Sequence, residues 1–282
     1  MTSKTDPRLR FAVKIVPKHH GNLPDDVVLS RIHDEVDILR TLQSCPETVR
    51  LVDVTEDGQQ VYIVMELCEG GDLLQFLKEH GRMTEWEAAH TAEAILRLLC
   101  ESHQQGILYA DLKPNNILLK RRYRRMRSSQ QSLQLRIADF GCSQRLQGGA
   151  FNMWAGTPAF MAPEVFKRHR GMESDQWSLG MVMYQMLTGR LPFWGTDPHP
   201  SPFRVMAAIL KDEVRYDSPE WRGISQSARD FVRRLLERDP AIRMSAEQAL
   251  AHPWIKRHCG HTRGVPPVAN NAVPAVRKAP QQ

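Results

Sequence analysis

The stretch WSLGMVMYQML, residues 177–187, carries apolar side chains on nearly every side of a helical wheel. A helix without a polar face has to be enclosed by other elements, because any side left open would expose apolar area to water. Ser174 stands at its opening, and Gly189 at its end is the residue type that most readily takes the left-handed conformation closing a helix. The chain is thus committed to a helical body built around this segment. Its 282 residues, 41% apolar, are enough for one large domain or two small ones.

Ahead of that helix the pattern is different. Residues 9–17, which include RFAVKIV, and 59–66, QQVYIVME, read as strands rich in β-branched side chains. Between them 24–43 has helical spacing, with Val28, Ile32, Leu39 and Leu42 on one side. EDGQ at 56–59 predicts a hairpin turn. Asp53, Asp57 and Gly58 faintly match a calcium loop, but Thr55 and Val64 occupy two positions that would need oxygen ligands, so a hairpin is expected instead. From residue 84 onward helices dominate. Thr84 and Glu87 have capping-box spacing before a helix through Leu99, and further helices fit 202–212, 225–237 and 245–251, the last opened by a second box, Ser245 and Gln248. Strands early and helices late predict an α+β fold of two lobes: a small one over 1–67, a mainly helical one over 68–257, and a proline-rich tail, 258–282, expected to be disordered.

Composition excludes some classes of function. No run approaches eighteen apolar residues, so no membrane span is expected, and MTSKTDPRLRF is unlike a secretory signal. Five scattered cysteines without CxxC pairing argue against a disulfide frame or zinc site and predict a reducing, cytoplasmic setting. The net charge of +6 is local: KRRYRRMR at 120–127 holds six Lys/Arg, and taking those from the chain's 38 leaves 32 against 32 acids. Such a run fits a solvated loop better than a nucleic-acid surface, since no aromatic-rich pattern accompanies it; nuclear import is its other reading.

Candidate chemistry emerges from order along the chain. A lysine on a strand (Lys14 in AVK) precedes a helix bearing Glu35; then come YADLKPNN at 109–116, DFG at 139–141 and APE at 162–164. Five separate elements in this sequence resemble a Ser/Thr protein kinase catalytic domain. IVMELCEGGDL, SDQWSLGMVMYQMLTGRLPFW and ALAHPWIKRH resemble the calcium/calmodulin-dependent branch, above all plant and algal calcium-dependent kinases, over about residues 11–257. The resemblance implies ATP and Mg2+ as cofactors and protein Ser/Thr side chains as acceptors. It implies that Lys14 holds the α- and β-phosphates with Glu35 as its ion-pair partner, and that Asn116 and Asp139 bind the metal. It makes Asp111 the catalytic base, Lys113 the charge at the γ-phosphate and Thr157 a contact of both. Met65 would stand behind the adenine, with the backbones of Glu66 and Cys68 bonded to the base and the Cys68 thiol idle. Glu164 is expected to pair with Arg243, Asp175 to brace the catalytic loop, Tyr109 to pack beneath it, and Asp72 to bind an arginine three residues before the acceptor. Asn115, which stands where a second acid would favour arginine two residues before it, offers no charge.

The sequence also departs from the family pattern. Only thirteen residues, none of them glycine, precede Lys14, where the family has a glycine-rich loop and two strands. An incomplete N-terminal β lobe is therefore expected, from a fragment or incomplete gene model, with weak Mg-ATP binding by the chain as given; a pseudokinase or docking scaffold is the alternative. Tyr109 and Ala110 replace the family's His and Arg. The segment from Asn116 to Asp139 is long and is expected to bulge between two short strands. No EF-hand follows the HPW motif. Between DFG and APE the only hydroxyl side chains are Ser143 and Thr157, so a full-length form active without phosphorylation of this loop, the loop held by Phe151, Met153 and Trp154, is expected, with decay of an inactive kinase as the alternative.

Overall fold

The computed structural model describes residues 9–19, 21, 24–123, 133–146, 156–194, 200–260 and 277–278. Near the N-terminus, β1 (Phe11–Pro17), β2 (Leu51–Glu56) and β3 (Gln60–Glu66) form an antiparallel sheet with β3 in the middle. EDGQ makes the expected hairpin between β2 and β3, its Asp57 side chain accepting from the Gln59 and Gln60 amides, both at 2.8 Å. Between β1 and β2 runs α1 (Asp25–Thr41), with Val28, Ile32, Val36 and Leu39 buried. It ends two residues short of the expected 43 because Leu42–Ser44 tighten into a 3-10 turn. Arg277 and Lys278, inside the tail expected to be disordered, pair in parallel with β2 at Thr55 and Glu56 as strand β8.

The rest is mainly helical: α2 (Leu73–His80), α3 (Glu85–Gln104), α4 (Pro163–Phe166), α5 (Glu173–Thr188), α6 (Pro202–Lys211), α7 (Gln226–Leu235), α8 (Ala246–Leu250) and α9 (Pro253–Cys259). α5 is the apolar segment on which the fold turns, packed against α3 and α7. Leu179, Met181, Val182, Met183 and Met186 are fully buried on it, each worth about 1.5–3 kcal/mol relative to exposure. It starts one residue before Ser174, which is buried inside the first turn and donates its hydroxyl to the Gly171 carbonyl at 2.7 Å. Gly189 closes it at φ 79°, as its position suggested.

Both capping boxes form. The Glu87 amide donates to the Thr84 hydroxyl at 3.2 Å while the Thr84 amide donates back to the Glu87 carboxylate at 2.9 Å, and Ser245 with Gln248 does the same. α3 also packs on α8 and α9, so Trp254 and Phe231 are sealed between helices. Short strands carry the functional loops: β4 (Ile107–Leu108) pairs with β7 (Gln144–Arg145), and β5 (Ile117–Leu119) with β6 (Leu135–Ile137). The β5–β6 pair is the expected frame of the basic insertion, whose residues 124–132 lie outside the described ones. Among the described residues no helix is long and apolar enough to cross a membrane.

Candidate active site

The loop after β4 is fixed by its buried residues. Tyr109 is completely enclosed; its hydroxyl donates to the Ala138 carbonyl at 2.5 Å and its ring meets Phe140 edge-on at 5.3 Å. The tyrosine thereby ties the loop to the segment carrying Asp139, the packing role expected of it. Burial, with the Asp139 and Asp111 charges adding, holds its phenol far above the usual value, so it remains a neutral donor. From α5, Asp175 accepts the Tyr109 amide at 3.0 Å and the Ala110 amide at 2.9 Å, bracing the loop as the sequence predicted. His103, a residue sequence reasoning missed, places Nε2 2.9 Å from the same carboxylate. A single helical histidine seventy-two positions away leaves no local signal of such a partner.

Held this way, Ala110 adopts φ 74° and Asp139 φ 60°. Such backbone is costly for residues with a Cβ and persists only where the surroundings enforce it. The loop then delivers a closed polar cluster. Lys113 Nζ lies 2.6 Å from Asp111 Oδ2 and donates to Thr157 Oγ1 at 2.9 Å. The Thr157 amide donates to Asp111 Oδ1 at 2.9 Å, and its hydroxyl lies 3.1 Å from the same atom. Asn116 Nδ2 donates to the Asp111 carbonyl at 2.9 Å. The expected contacts of Thr157 with both Asp111 and Lys113 are thus present.

Across the cleft, Lys14 on β1 reaches Glu35 on α1 at 2.7 Å and Asp139 at 2.8 Å. Burial works against the Lys14 charge, but the two carboxylates outweigh it and hold the ammonium above its ordinary value. Burial raises Glu35, with Lys14 only partly offsetting it, whereas burial of Asp139 is overcome by Lys14 and its carboxyl is held low. Space is tight at Gly141: a Cβ there would lie 3.2 Å from Glu35 Oε2 and 3.3 Å from Lys14 Nζ, so these side chains would have to give way slightly.

Oxygen chemistry here suits magnesium. Asp139 offers a carboxylate, and the Asn116 nitrogen is spent on the Asp111 carbonyl, so oxygen is the atom that amide can offer a cation. Among the described residues no cluster of three or more His, Cys, Asp or Glu forms a metal cage. One carboxylate and one amide oxygen fit an ion which takes one or two protein oxygens and completes its shell with water and phosphate.

The remaining candidates lie around this centre. Met65 sits on β3 opposite Ala12 and Leu51. The Glu66 amide is already donated to the Arg50 carbonyl at 2.9 Å, and its carboxylate takes Arg136 Nε at 2.6 Å, so that amide is not available to a base. The Cys68 thiol is pushed up to about 11, by burial first and the Glu66 charge second, which makes it inert near neutrality. Asp72 caps α2, accepting the Gln75 amide at 2.7 Å, and its second oxygen lies 3.4 Å from Asn115 Nδ2. Away from the cleft, Arg243 grips Glu164 with both terminal nitrogens at 2.6 and 2.9 Å, buried, with its guanidinium 5.3 Å from the Trp177 ring.

Comparison with known proteins agrees with this geometry. A protein kinase domain model matches residues 2–255. A CDPK-related protein kinase of Daucus carota is 38% identical over 247 residues, which cover 87% of this chain and 39% of that protein. CDPK-related kinase 5 of Arabidopsis thaliana is 38% identical over 249 residues, 88% of this chain and 39% of the other. Calcium-dependent protein kinase 2 of Oryza sativa subsp. japonica is 38% identical over 248 residues, 88% and 46%. The chain spans less than half the length of these relatives. A lysine–glutamate pair, a braced aspartate loop and a family match over nearly the whole chain lead to one conclusion: this is a member of the protein kinase family, in the branch of the calcium-dependent and CDPK-related kinases.

Proposed function

We propose that the chain transfers the γ-phosphoryl group of ATP to Ser or Thr hydroxyls of protein substrates. The observation that carries this is the Asp111–Lys113–Thr157–Asn116 cluster, which holds a carboxylate and an ammonium 2.6 Å apart on a loop braced by Asp175. In phosphoryl transfer catalysis is mostly positioning and charge stabilisation. Asp111 orients the acceptor hydroxyl and takes its proton. Lys113, beside it, neutralises charge at the transferring group. Lys14, fixed by Glu35, grips the nucleotide phosphates, while Met65 and the hinge backbone around Glu66 and Cys68 line the adenine side. Asp139 and Asn116 would hold magnesium, which when bound would neutralise phosphate charge. The bond to Lys14 uses Asp139 Oδ1, which leaves Oδ2 as the oxygen to face the cation.

Asp72 would select arginine three residues before the acceptor. One of its oxygens is committed to the α2 cap; the other has only a long, neutral bond from Asn115 Nδ2 at 3.4 Å, which a charge-assisted bond from arginine would displace. Activity without activation-segment phosphorylation is part of the same proposal. Ser143 is buried with its hydroxyl donated to the Tyr109 carbonyl at 2.9 Å, and the Thr157 hydroxyl is engaged by Lys113. Neither is presented to another kinase. Phe151, Met153 and Trp154, expected to hold the loop, lie outside the described residues.

Incubation with γ-labelled ATP, Mg2+ and an arrayed Ser/Thr peptide library tests this. At millimolar Mg-ATP, used because weak nucleotide binding is expected of this chain, label on Ser or Thr, enriched in peptides with arginine at the third upstream position and unchanged after phosphatase treatment of the protein, is expected. Nucleotide-dependent thermal stabilisation with no label on any peptide would instead favour a docking scaffold.

A further inference from the structure

The Ala110 carbonyl belongs to the peptide unit that leads into Asp111, so whatever holds this carbonyl sets the direction in which the Asp111 side chain departs. The amide side of Ala110 is held by Asp175 at 2.9 Å. Its carbonyl is held by a residue from a different segment: Arg170, in the turn between α4 and α5, donates Nη2 to it at 3.1 Å. Gly156 closes over the same point. A Cβ on Gly156 would lie 2.8 Å from the Ala110 carbonyl oxygen, 3.4 Å from Arg170 Nη2 and 3.5 Å from Asp111 Oδ1, and its φ of 107° suits glycine alone.

Two segments thus close on the carbonyl of a residue whose amide a third, α5, already holds. Arg170 is half-buried and lines a small cavity with Asp111, Thr157, Ser174 and Ser178, in which it and Asp111 are the two charged side chains. A guanidinium bond to a carbonyl is charge-assisted and stronger than a neutral one, more so where water is excluded. Position 110 itself carries only a methyl group, in a backbone conformation that is costly without such a clamp.

We propose that Arg170 is a positioning residue: from the α4–α5 turn it supplies the cation that fixes the Ala110–Asp111 peptide and thereby aims the Asp111 carboxylate at the acceptor. This rests on the kinase reading above for its catalytic consequence, but not for its structural one. Asp111 would then be aimed by a permanent charge in the fold, with no phosphate needed to order the loop.

The Thr157 amide, which donates to Asp111 Oδ1, reports the position of that carboxylate directly. In the 282-residue chain, Arg170→Met is expected to speed hydrogen exchange of the Ala110 and Thr157 amides by roughly tenfold, the loss of one charge-assisted bond, with α3 and α5 amides unchanged. Turnover of a Ser/Thr peptide should fall by about 10–100-fold, with KM for ATP unaltered. Arg170→Lys, which keeps the charge and loses the fork, should give a smaller change in the same amides and recover part of the turnover. Parent-like exchange at Thr157 in Arg170→Met overturns the proposal, and so does a uniform increase over all helices, which would mark a general structural role. Should Arg170→Met not fold, parent-like exchange and turnover in Arg170→Lys overturn it equally. A parent chain with no turnover at saturating Mg-ATP counts against the kinase reading, and the exchange measurements still decide the role of Arg170.

Discussion

The two walls of the cleft are built on different principles. On the lower wall, Asp111 is 7% exposed and, besides its ion pair with Lys113, the loop is held through backbone groups: Asp175 takes two loop amides, and Asp111 takes a third from Thr157. On the upper wall Lys14 holds both Glu35 and Asp139 by ion pairs, and the Asp139 side chain is 48% exposed. Backbone amides stay where the fold puts them whether or not a ligand arrives. Ion pairs can exchange partners. The lower wall is thus set before substrate binds, while the upper wall stores its charges in mutual pairs that a nucleotide and a cation would redistribute.

The contrast can be broken most sharply at Asp111. Asp111→Asn keeps the shape of the lower wall and removes the proton acceptor, so phosphoryl transfer should fall by about 10²–10⁴-fold while nucleotide-induced thermal stabilisation persists. Radiolabelled transfer equal to the parent's would take Asp111 out of the mechanism. Asp175→Ala acts next, on stability. It leaves the buried Tyr109 and Ala110 amides without their acceptor, a loss of about 1–3 kcal/mol for each, read as a lower urea midpoint. A midpoint within experimental error of the parent's would mean that the brace is dispensable.

The upper wall gives a pH signature. Glu35 has its carboxyl raised by burial and Asp139 has its own lowered by Lys14. On acidification Glu35 should therefore protonate first and Asp139 last, which 13C carboxyl NMR can follow; the reverse order would contradict the pairing. The sign for stability follows for Asp139, whose folded value is depressed. Its contribution is present above the ordinary 3.8 and is lost as pH falls through the lower folded value. The stability difference between the parent and Asp139→Asn should accordingly shrink only in strong acid. The smallest effect concerns Cys68 at the hinge. With a thiol pKa near 11 only about one molecule in a thousand carries thiolate at pH 8, so iodoacetamide labelling at that site should be slow. Rapid modification would show a hinge more open than the one described.

Much of this was legible in the chain because the informative residues stand next to their own motifs. Lys14 lies within a strand pattern, Thr84 and Glu87 announce a helix start, and the all-round apolar 177–187 demanded enclosure. What escaped was of two kinds. Elements too short to show a period were missed: α2 and α9, with eight and seven residues, and the two-residue strands β4 and β7. Polar residues whose partners are remote were missed as well. His103 acts through Asp175, seventy-two positions away, and Arg170 on Ala110 from sixty, and each looks like an ordinary surface residue when read alone. Glu66 shows a third limit: its place at the hinge was readable, but the prior use of its amide by Arg50 depends on sheet register.

The enclosure of α5 also governs how the chain can be made. As the ribosome releases residues 173–188, the helix has α3 available on one side but not α7, which ends at Leu235. At about 5–20 residues per second of synthesis, the side of α5 meant for α7 waits several seconds with Leu and Met side chains facing water. During that interval the nascent chain is a natural client for a chaperone. Its C-terminal half cannot be trimmed before α7 without making that transient exposure permanent.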